Sequence, residues 1–291
     1  MVTRLGHVKL RVPDVDASVE FLNATLGLRE VERLDGCAYL TCNERHHELI
    51  LAPGDKVGYE HIGLELPNAE SLQETLTKAE RAGGTRVGMV EAEPGIAGAV
   101  LIEGPGGHRF KLFHGMATDQ DASPPPGAAG VRAERCEHVS LDVRRLAPMA
   151  RFLRDGLGFQ FSDQIGTSGM WFRCEEIHHG VALVRTPKIG LAHYAFAVSS
   201  FEDFKRIGDY IKGLGKKFEY GPGRHGPGNN LFVYFVDPAG AMVECCSEMA
   251  RVGPGHAYQP GKWKLRPGNV SLWGGLPTLR FLGTNTPVVR L

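Results

Sequence analysis

The most restrictive feature of this 291-residue sequence is an internal duplication. GHVKLRV at residues 6–12 recurs as EHVSLDV at residues 137–143, and YEHIGLEL at residues 59–66 recurs as LAHYAFAV at residues 191–198. The matching positions lie 131 or 132 residues apart in both cases. Because a nearly constant offset over so long a span rarely arises by chance, the sequence predicts two tandem copies of one domain.

Each copy repeats one order of secondary structure twice. A strand with alternating apolar residues leads into a helical pattern, which is followed by short strands separated by glycine and asparagine. The helical patterns fall at residues 15–26, 69–82, 146–157 and 201–214. We therefore expect four βαβββ modules, two in each domain, and an α+β fold with curved, mostly antiparallel sheets.

Composition suggests where the domains meet. Residues 117–132 are rich in proline, alanine and glycine and have no apolar periodicity, which is typical of a linker. We predict one domain at residues 1–116 and a second at residues 133–250. The remaining tail, residues 251–291, is expected to cross the active site of the second domain or a neighbouring subunit of a homo-oligomer.

The charge balance and the cysteines limit the kinds of partner and the cellular compartment that we expect. Lysine plus arginine equals aspartate plus glutamate at 33 each, so no overall field attracts nucleic acid or a membrane, and we expect a small-molecule partner. The chain start lacks an export signal, and no segment approaches the roughly 18 apolar residues that span a bilayer. The six cysteines show neither a secretory framework nor zinc spacing. These features predict a cytoplasmic protein with reduced thiols.

Three residues of the second copy have the chemistry of metal ligands. His138 and His193 begin equivalent strands of the third and fourth modules, and Glu244 lies in an apolar strand after the turn at residues 237–240. A carboxylate in such a strand is costly to bury unless a cation or a donor meets it. Two imidazoles and one carboxylate leave open positions on an octahedral ion, as non-haem Fe(II) requires to bind substrate and O₂.

Over residues 3–250 the modules and motifs resemble the type I extradiol ring-cleaving dioxygenases of the vicinal oxygen chelate superfamily, nearest the homoprotocatechuate and catechol 2,3-dioxygenases. The matching motifs are HVS at His138, HHGVA at residues 178–182, His193, and GPGRHG followed by Tyr234 and Glu244. The resemblance implies meta cleavage of a catechol in aromatic catabolism. It also implies Fe(II), with Mn(II) as the alternative, bound by the two histidines and the glutamate, with O₂ as co-substrate.

The same resemblance implies three further catalytic residues, His179, His225 and Tyr234. His179 is preferred to His178 as the acid and base because it lies three residues before Ala182, as the equivalent group of the family does. A shift of one residue along the strand would reverse this choice, because neighbouring strand residues face opposite sides of the sheet.

The first copy provides an internal comparison. His7 and His61 occupy the ligand positions and His47 matches His179, but the counterpart of Glu244 is Lys111. A lysine ammonium cannot bind a cation. We therefore expect a metal only in the second domain.

The substrate pocket is predicted to include Ser140, Trp171, Phe172, Tyr220 and Trp273. Tyr220 stands where the resemblance leads us to expect an arginine for a substrate carboxylate, and no arginine directly precedes Trp273. Without a paired cation, a buried anionic substituent is disfavoured. We therefore expect an uncharged catechol with alkyl, aryl or further hydroxyl groups.

Two other functions remain open at this point. One is a glyoxalase-type metal-dependent isomerase or lyase, which usually assembles four ligands and has no use for His225 with Tyr234. The other is a metal-free binding protein of the bleomycin-resistance kind, which needs no pair of histidines with a glutamate.

Overall fold

Each half of the chain forms one β-sheet, and the strand order of the first sheet recurs in the second. The computed structural model describes residues 1–89, 93–119 and 124–289. The strands of the first sheet are β1 (Arg4–Val12), β2 (Arg29–Leu34), β3 (Cys37–Thr41), β4 (Leu49–Pro53), β5 (Gly58–Glu65), β6 (Thr85–Met89), β7 (Ile96–Glu103) and β8 (Arg109–Met116). The corresponding strands of the second sheet are β9 (Arg135–Val143), β10 (Gln160–Ile165), β11 (Gly169–Arg173), β12 (Val181–Arg185), β13 (Gly190–Ala197), β14 (Tyr220–Arg224), β15 (Leu231–Val236) and β16 (Met242–Ser247).

The first sheet has the order β2-β3-β4-β1-β5-β8-β7-β6, and the second repeats it as β10-β11-β12-β9-β13-β16-β15-β14. In every module the opening strand pairs in parallel with the closing strand, whereas the two opening strands of each sheet pair antiparallel. The remaining pairs within these modules are antiparallel. The expected α+β fold of repeated βαβββ modules is confirmed.

One helix follows the opening strand of each module. The helices are α1 (Val15–Leu26), α2 (Ala69–Arg81), α3 (Leu146–Arg151) and α4 (Phe201–Gly213), with the short α5 (Pro267–Val270) and α6 (Leu279–Gly283) in the tail. Side chains cap the helix starts, because Asp14 accepts a hydrogen bond from the Ala17 amide and Asn68 accepts one from the Ser71 amide. Gly27 ends α1 in the left-handed conformation that favours glycine.

The third helical pattern differs from the expected continuous α-helix at residues 146–157. After α3, residues Phe152–Gly156 form a π-helical turn that buries Phe152 and Leu153. This turn brings Gly156 against α2, where an added Cβ would lie 2.9 Å from the Cα of Ala79. The π-helical turn, which is wider than an α-helical turn, therefore occurs where Gly156 packs closely against α2.

The tail adds strands to the second sheet of its own chain. Strand β17 (Gly261–Trp263) pairs in parallel with β10, and β18 (Thr286–Pro287) pairs antiparallel with β13. Val288 then bridges to Tyr59 of the first sheet. The tail therefore pairs with the second sheet of its own chain, and its predicted place over the active site or a subunit interface stays a prediction. One continuous apolar core joins both sheets. The predicted domain limits stay predictions.

Two further observations bear on the sequence predictions. All six cysteines carry free thiols. Within residues 1–89, 93–119 and 124–289, no helix has the length and apolar character needed to cross a membrane.

A buried carboxylate links the two halves of the chain. Glu48, which precedes β4, is fully buried and accepts a 2.6 Å hydrogen bond from the backbone amide of Cys136 on β9. Its other oxygen accepts hydrogen bonds from Arg4 at 3.0 Å and Asn43 at 3.1 Å, and Arg45 lies 3.3 Å away. One oxygen of this carboxylate therefore accepts hydrogen bonds from the first half of the chain and the other accepts one from the second half.

We expect Glu48→Ala to lower the free energy of unfolding by about 3 kcal/mol, because it leaves the buried Cys136 amide unpaired and removes the carboxylate that Arg4 contacts. Urea denaturation followed by circular dichroism measures the change. Glu74→Ala is the matched control, because Glu74 pairs with Lys78 on the exposed face of α2 and its loss should cost under about 0.5 kcal/mol. Equal losses in the two variants would contradict the role assigned to Glu48.

Candidate active site

His138, His193 and Glu244 meet at the centre of the second sheet. They lie on β9, β13 and β16, which are adjacent strands, and the register places Ala195 opposite both His138 and Glu244. His193 is two residues from Ala195 and so belongs to the same face. Glu244 Oε2 lies 2.9 Å from His138 Nε2 and 3.1 Å from His193 Nε2, and the two nitrogens are 3.4 Å apart.

This cluster is buried and contains an ionised carboxylate. Glu244 is 1% exposed, and its second oxygen accepts a 3.2 Å hydrogen bond from Asn230. Burial alone would raise the pKa of Glu244, but the contacts with His138 and His193 hold it well below its usual range. Among the described residues, only histidines lie within ion-pair distance of it. A carboxylate in this environment fits a bound divalent cation, with three converging ligand atoms.

The equivalent place in the first sheet contains its own cation. His7 Nε2 lies 3.1 Å from His61 Nε2, and the Lys111 ammonium contacts the carboxylate of Glu93. Lys9 Nζ lies 3.5 Å from the same carboxylate. The charge of Glu93 is therefore balanced by lysine, and the expectation that this half binds no metal stays a prediction. Glu93 comes from the segment before β7, and the sequence analysis did not identify it.

His179 lies beside this cluster, just before β12. Its ring centroid is 4.3 Å from that of His138, and the residue lines the adjoining cavity. Its Nδ1 lies 2.9 Å from Nδ1 of His178, whose ring extends away from the cavity towards Asp163. Burial holds the pKa of His179 well below its usual range, so the ring is neutral. Of the two neighbouring histidines, the one facing the cavity is therefore His179.

His225 and Tyr234 form a hydrogen-bonded pair on the opposite side of the cavity. His225 Nδ1 donates to the carbonyl of Val270 at 2.7 Å, and His225 Nε2 lies 3.0 Å from the Tyr234 hydroxyl. The first bond fixes the tautomer of the neutral ring, so Nε2 accepts the proton of the Tyr234 hydroxyl. The His225 ring stacks on Phe232 with centroids 3.9 Å apart, which holds its orientation.

The cavity above the cluster is mostly apolar. It encloses about 260 Å³, and Ser140 contributes a hydroxyl near the histidines. Its apolar lining comes from Ile165, Trp171, Val184, Leu265, Val270 and Phe281. The last three belong to the tail and were not identified from the sequence, because the tail has no periodic pattern. No lysine or arginine is found among the described lining residues.

Three predicted pocket residues lie elsewhere. The prediction that Phe172 lines the pocket was wrong. Phe172 follows Trp171 on the same strand, so it faces the other side of the sheet and packs in the core at 2% exposure. Tyr220 was wrong as a lining residue, because it stacks behind Tyr234 with ring centroids 5.9 Å apart. Trp273 was also wrong, because the tail turns it outwards and leaves it 54% exposed, against Phe201.

Two polar residues of the site, Asn230 and Asp163, were missed by the sequence analysis, which considered His178 only as the alternative to His179. Asn230 donates a hydrogen bond to Glu244, while His178 contacts both His179 and Asp163. Asn230 could have been suspected because it is a polar residue directly before the apolar strand β15. Asp163 could have been suspected because the first copy also has an acidic residue, Glu32, at the matching position.

Known proteins resemble this chain over most of its length. The manganese-dependent 2,3-dihydroxybiphenyl 1,2-dioxygenase of Geobacillus genomosp. 3 is 26% identical over 81% of this chain and 82% of its own. The iron-dependent extradiol dioxygenase of Rhodococcus jostii is 27% identical over 94% of this chain and 96% of its own.

Solved structures share the fold. The Mn(II)-bound glyoxalase of Novosphingobium aromaticivorans superposes with a TM-score of 0.89 at 27% identity, covering 99% of this chain and 96% of that chain. The homoprotocatechuate 2,3-dioxygenase of Arthrobacter globiformis superposes with a TM-score of 0.88 at 22% identity, covering 99% and 93%. The sequence also matches the family described as Glyoxalase/Bleomycin resistance protein/Dioxygenase superfamily at residues 4–112 and 135–245. The chain therefore belongs to this superfamily, as its motifs indicated.

Proposed function

We propose that this protein is an extradiol dioxygenase, which opens the ring of a catechol-type diol with O₂ in aromatic catabolism. The observation that carries this function is the convergence of His138, His193 and Glu244 beside a cavity that also contains His179 and the His225–Tyr234 pair. Three ligands on one side of an ion leave positions for both diol oxygens and for O₂. The related dioxygenases support the same activity.

The metal is proposed to be Fe(II), with Mn(II) as the alternative. One relative is manganese-dependent and another is iron-dependent, and two imidazoles with one carboxylate suit either ion. When bound, the metal would act as a Lewis acid and pass electrons between the diol and O₂. His138, His193 and Glu244 would hold it, and Asn230 would orient the carboxylate.

The His225–Tyr234 pair is positioned to remove a proton from the diol. The Tyr234 hydroxyl donates to His225 Nε2, so the tyrosine oxygen is free to accept a hydrogen bond from a substrate hydroxyl. As the substrate proton moves to the tyrosine oxygen, the tyrosine proton moves to His225 Nε2. The Val270 carbonyl, bound to Nδ1, stabilises the imidazolium that results.

His179 is proposed as the acid and base on the other side of the ring. It borders the cavity next to His138, and its neutral ring has Nε2 as the nitrogen not engaged by His178. Imidazole exchanges protons near neutral pH, so this position suits transfer to and from an oxygen atom of the reacting group. The surrounding apolar side chains exclude water from the site.

The substrate is proposed to be an uncharged catechol with alkyl, aryl or further hydroxyl substituents. The described lining residues include no cation to pair with a substrate carboxylate. Arg266, the arginine that most nearly precedes Trp273 in the sequence, is exposed. Arg185 and Lys188 line the adjoining groove, which shares His193 and Phe281 with the cavity, but they do not line the cavity itself. An apolar substituent therefore fits the cavity better than an anionic one.

The related glyoxalase structure favours one competing function, a metal-dependent isomerase. The hydrogen-bonded His225–Tyr234 pair has a clear role in opening a diol ring and none in that reaction. A metal-free binding protein is disfavoured because Glu244 would stay buried without a cation. Anaerobic Fe(II) protein given catechol and then air distinguishes the three, since ring cleavage yields a yellow product. Isomerisation of a glutathione hemithioacetal without that colour would instead identify a glyoxalase.

Cellular location and assembly remain proposals. A cytoplasmic location agrees with the free thiols, and a homo-oligomer agrees with apolar side chains that the tail exposes, such as Leu276 at 82% and Leu279 at 87%.

We expect one metal ion per chain, and Glu244→Ala should bind none, because two remaining protein ligands hold Fe(II) or Mn(II) weakly. Anaerobic loading followed by elemental analysis measures the ratio. Glu93→Ala is the control in the first half, and it should still bind one ion because Lys111 occupies that centre. Two ions per chain, or full loading of Glu244→Ala, would refute this assignment.

His179→Ala should keep its metal and lose about 10² to 10⁴ in kcat, which is the usual contribution of a positioned acid or base. Oxygen uptake with a saturating catechol measures kcat, and elemental analysis measures the metal. His47→Ala changes the matching residue of the first half and should leave kcat unchanged. Loss of metal from His179→Ala would mean that this histidine is a ligand.

For 3-methylcatechol, kcat/KM should exceed that for homoprotocatechuate by at least about 10², since a carboxylate would lose its hydration without gaining a cation. Steady-state kinetics with both substrates, and with unsubstituted catechol as reference, measure the ratio. Preference for homoprotocatechuate would show that groove cations reach the substituent, and Lys188→Met would then reduce that preference.

A further inference from the structure

A chain of hydrogen-bonding groups runs from the cavity through His179 into the interior. His179 Nδ1 lies 2.9 Å from His178 Nδ1, and His178 Nε2 lies 3.1 Å from Asp163 Oδ2. The last contact is within ion-pair distance but off the line of an ideal hydrogen bond. Both His178 and Asp163 are fully buried, so water does not compete for these contacts.

Asp163 is held ionised by donors from the tail. Its carboxylate accepts hydrogen bonds from the Gly261 amide at 2.7 Å, the Trp263 indole at 2.9 Å and the Tyr258 hydroxyl. Burial by itself would raise the pKa of Asp163, but the contacts with His178 and Tyr258 hold it below its usual value. An ionised carboxylate can only accept, so the facing nitrogen of His178, Nε2, carries a proton.

The protonation of His178 determines that of His179. Burial lowers the pKa of His178, so its ring is neutral and the proton on Nε2 leaves Nδ1 as an acceptor. His179 Nδ1 must then donate to it, which leaves the lone pair of His179 on Nε2. We propose that Asp163 and His178 are positioning residues that fix His179 as the Nδ1-protonated tautomer, with its Nε2 lone pair presented to the cavity.

The loop GPGRHGPG supports this arrangement from the other side. Gly228 has a positive φ of 80°, and an added Cβ would lie 3.0 Å from His178 Nδ1. Its amide also donates to the Tyr258 hydroxyl at 3.1 Å. The loop that carries His225 and the tail that binds Asp163 therefore meet at His178.

The first half contains a matching set that provides a control. His46 Nδ1 lies 3.0 Å from His47 Nδ1, and His46 Nε2 lies 3.1 Å from Glu32 Oε2. His47 packs against His7 with ring centroids 4.7 Å apart, as His179 packs against His138. Because this half has Lys111 in place of a metal ligand, the same changes there alter the fold locally without touching the reaction.

This proposal rests on the proposed role of His179 as acid and base, and one of its tests is independent of activity. Long-range proton–nitrogen NMR of the metal-free full chain, labelled with ¹⁵N-histidine, reports which ring nitrogen carries the proton. Spectra of His178→Asn and His179→Ala assign the signals. We expect Nδ1 of His179 to be protonated and Nε2 to be unprotonated. The opposite tautomer in the wild type would overturn the proposal, whether or not the protein cleaves catechols.

The kinetic test separates positioning from a structural role. Asp163→Asn and His178→Ala should each lower kcat about 10-fold to 100-fold, with KM and metal content near those of the wild type. His178→Asn places an amide oxygen near the former Nδ1 and should restore part of kcat. In a His179→Ala background, Asp163→Asn should have no further effect, because the two residues act as one unit.

The matched first-half variants are Glu32→Gln and His46→Ala, and both should keep the wild-type kcat. The proposal is overturned if Asp163→Asn loses metal, or if it lowers kcat equally with and without His179. If the wild type and its variants all lack ring-cleaving activity, the proposed function fails, and the NMR result alone decides the tautomer.

Discussion

The structure of the second domain depends on how one buried negative charge is balanced. Glu244 lies in the middle of a sheet, where an unpaired carboxylate would cost several kcal/mol. The groups within hydrogen-bond distance of it are two histidines and an amide. A divalent cation between these atoms would satisfy the carboxylate and both imidazoles at once.

In the first half, lysine side chains lie beside the buried carboxylate at the equivalent place. Lys111 occupies the position of Glu244 in the register, since it pairs with Gly63 as Glu244 pairs with Ala195. Its ammonium needs a carboxylate, which Glu93 provides from a different part of the chain. The exchange of one strand residue therefore reverses the sign of the charge that the partner must carry. His7 and His61 are buried in this interior.

The duplication made the proposed metal ligands visible in the sequence. His138 and His193 are unremarkable singly, but they match His7 and His61 at one offset, and the strand registers then bring them to Glu244. The pocket was harder to predict, since it depends on the direction of single side chains. Trp171 lines the cavity while Phe172 beside it does not, and the tail, which has no periodic pattern, supplies much of the apolar lining.

The tail also explains why the site is more than the sum of two modules. Its residues Leu265, Val270 and Phe281 close the cavity, and the Val270 carbonyl fixes the tautomer of His225. Tyr258 and Trp263 donate hydrogen bonds to Asp163, which belongs to the chain of groups that leads to His179 on the other side of the cavity. A single segment thus contacts the proposed proton-transfer groups on both sides of the cavity, whereas the first domain has no such segment over its centre among its described residues. The tail and the carboxylate on β16 are therefore two of the differences that distinguish the second half from the first at the candidate site.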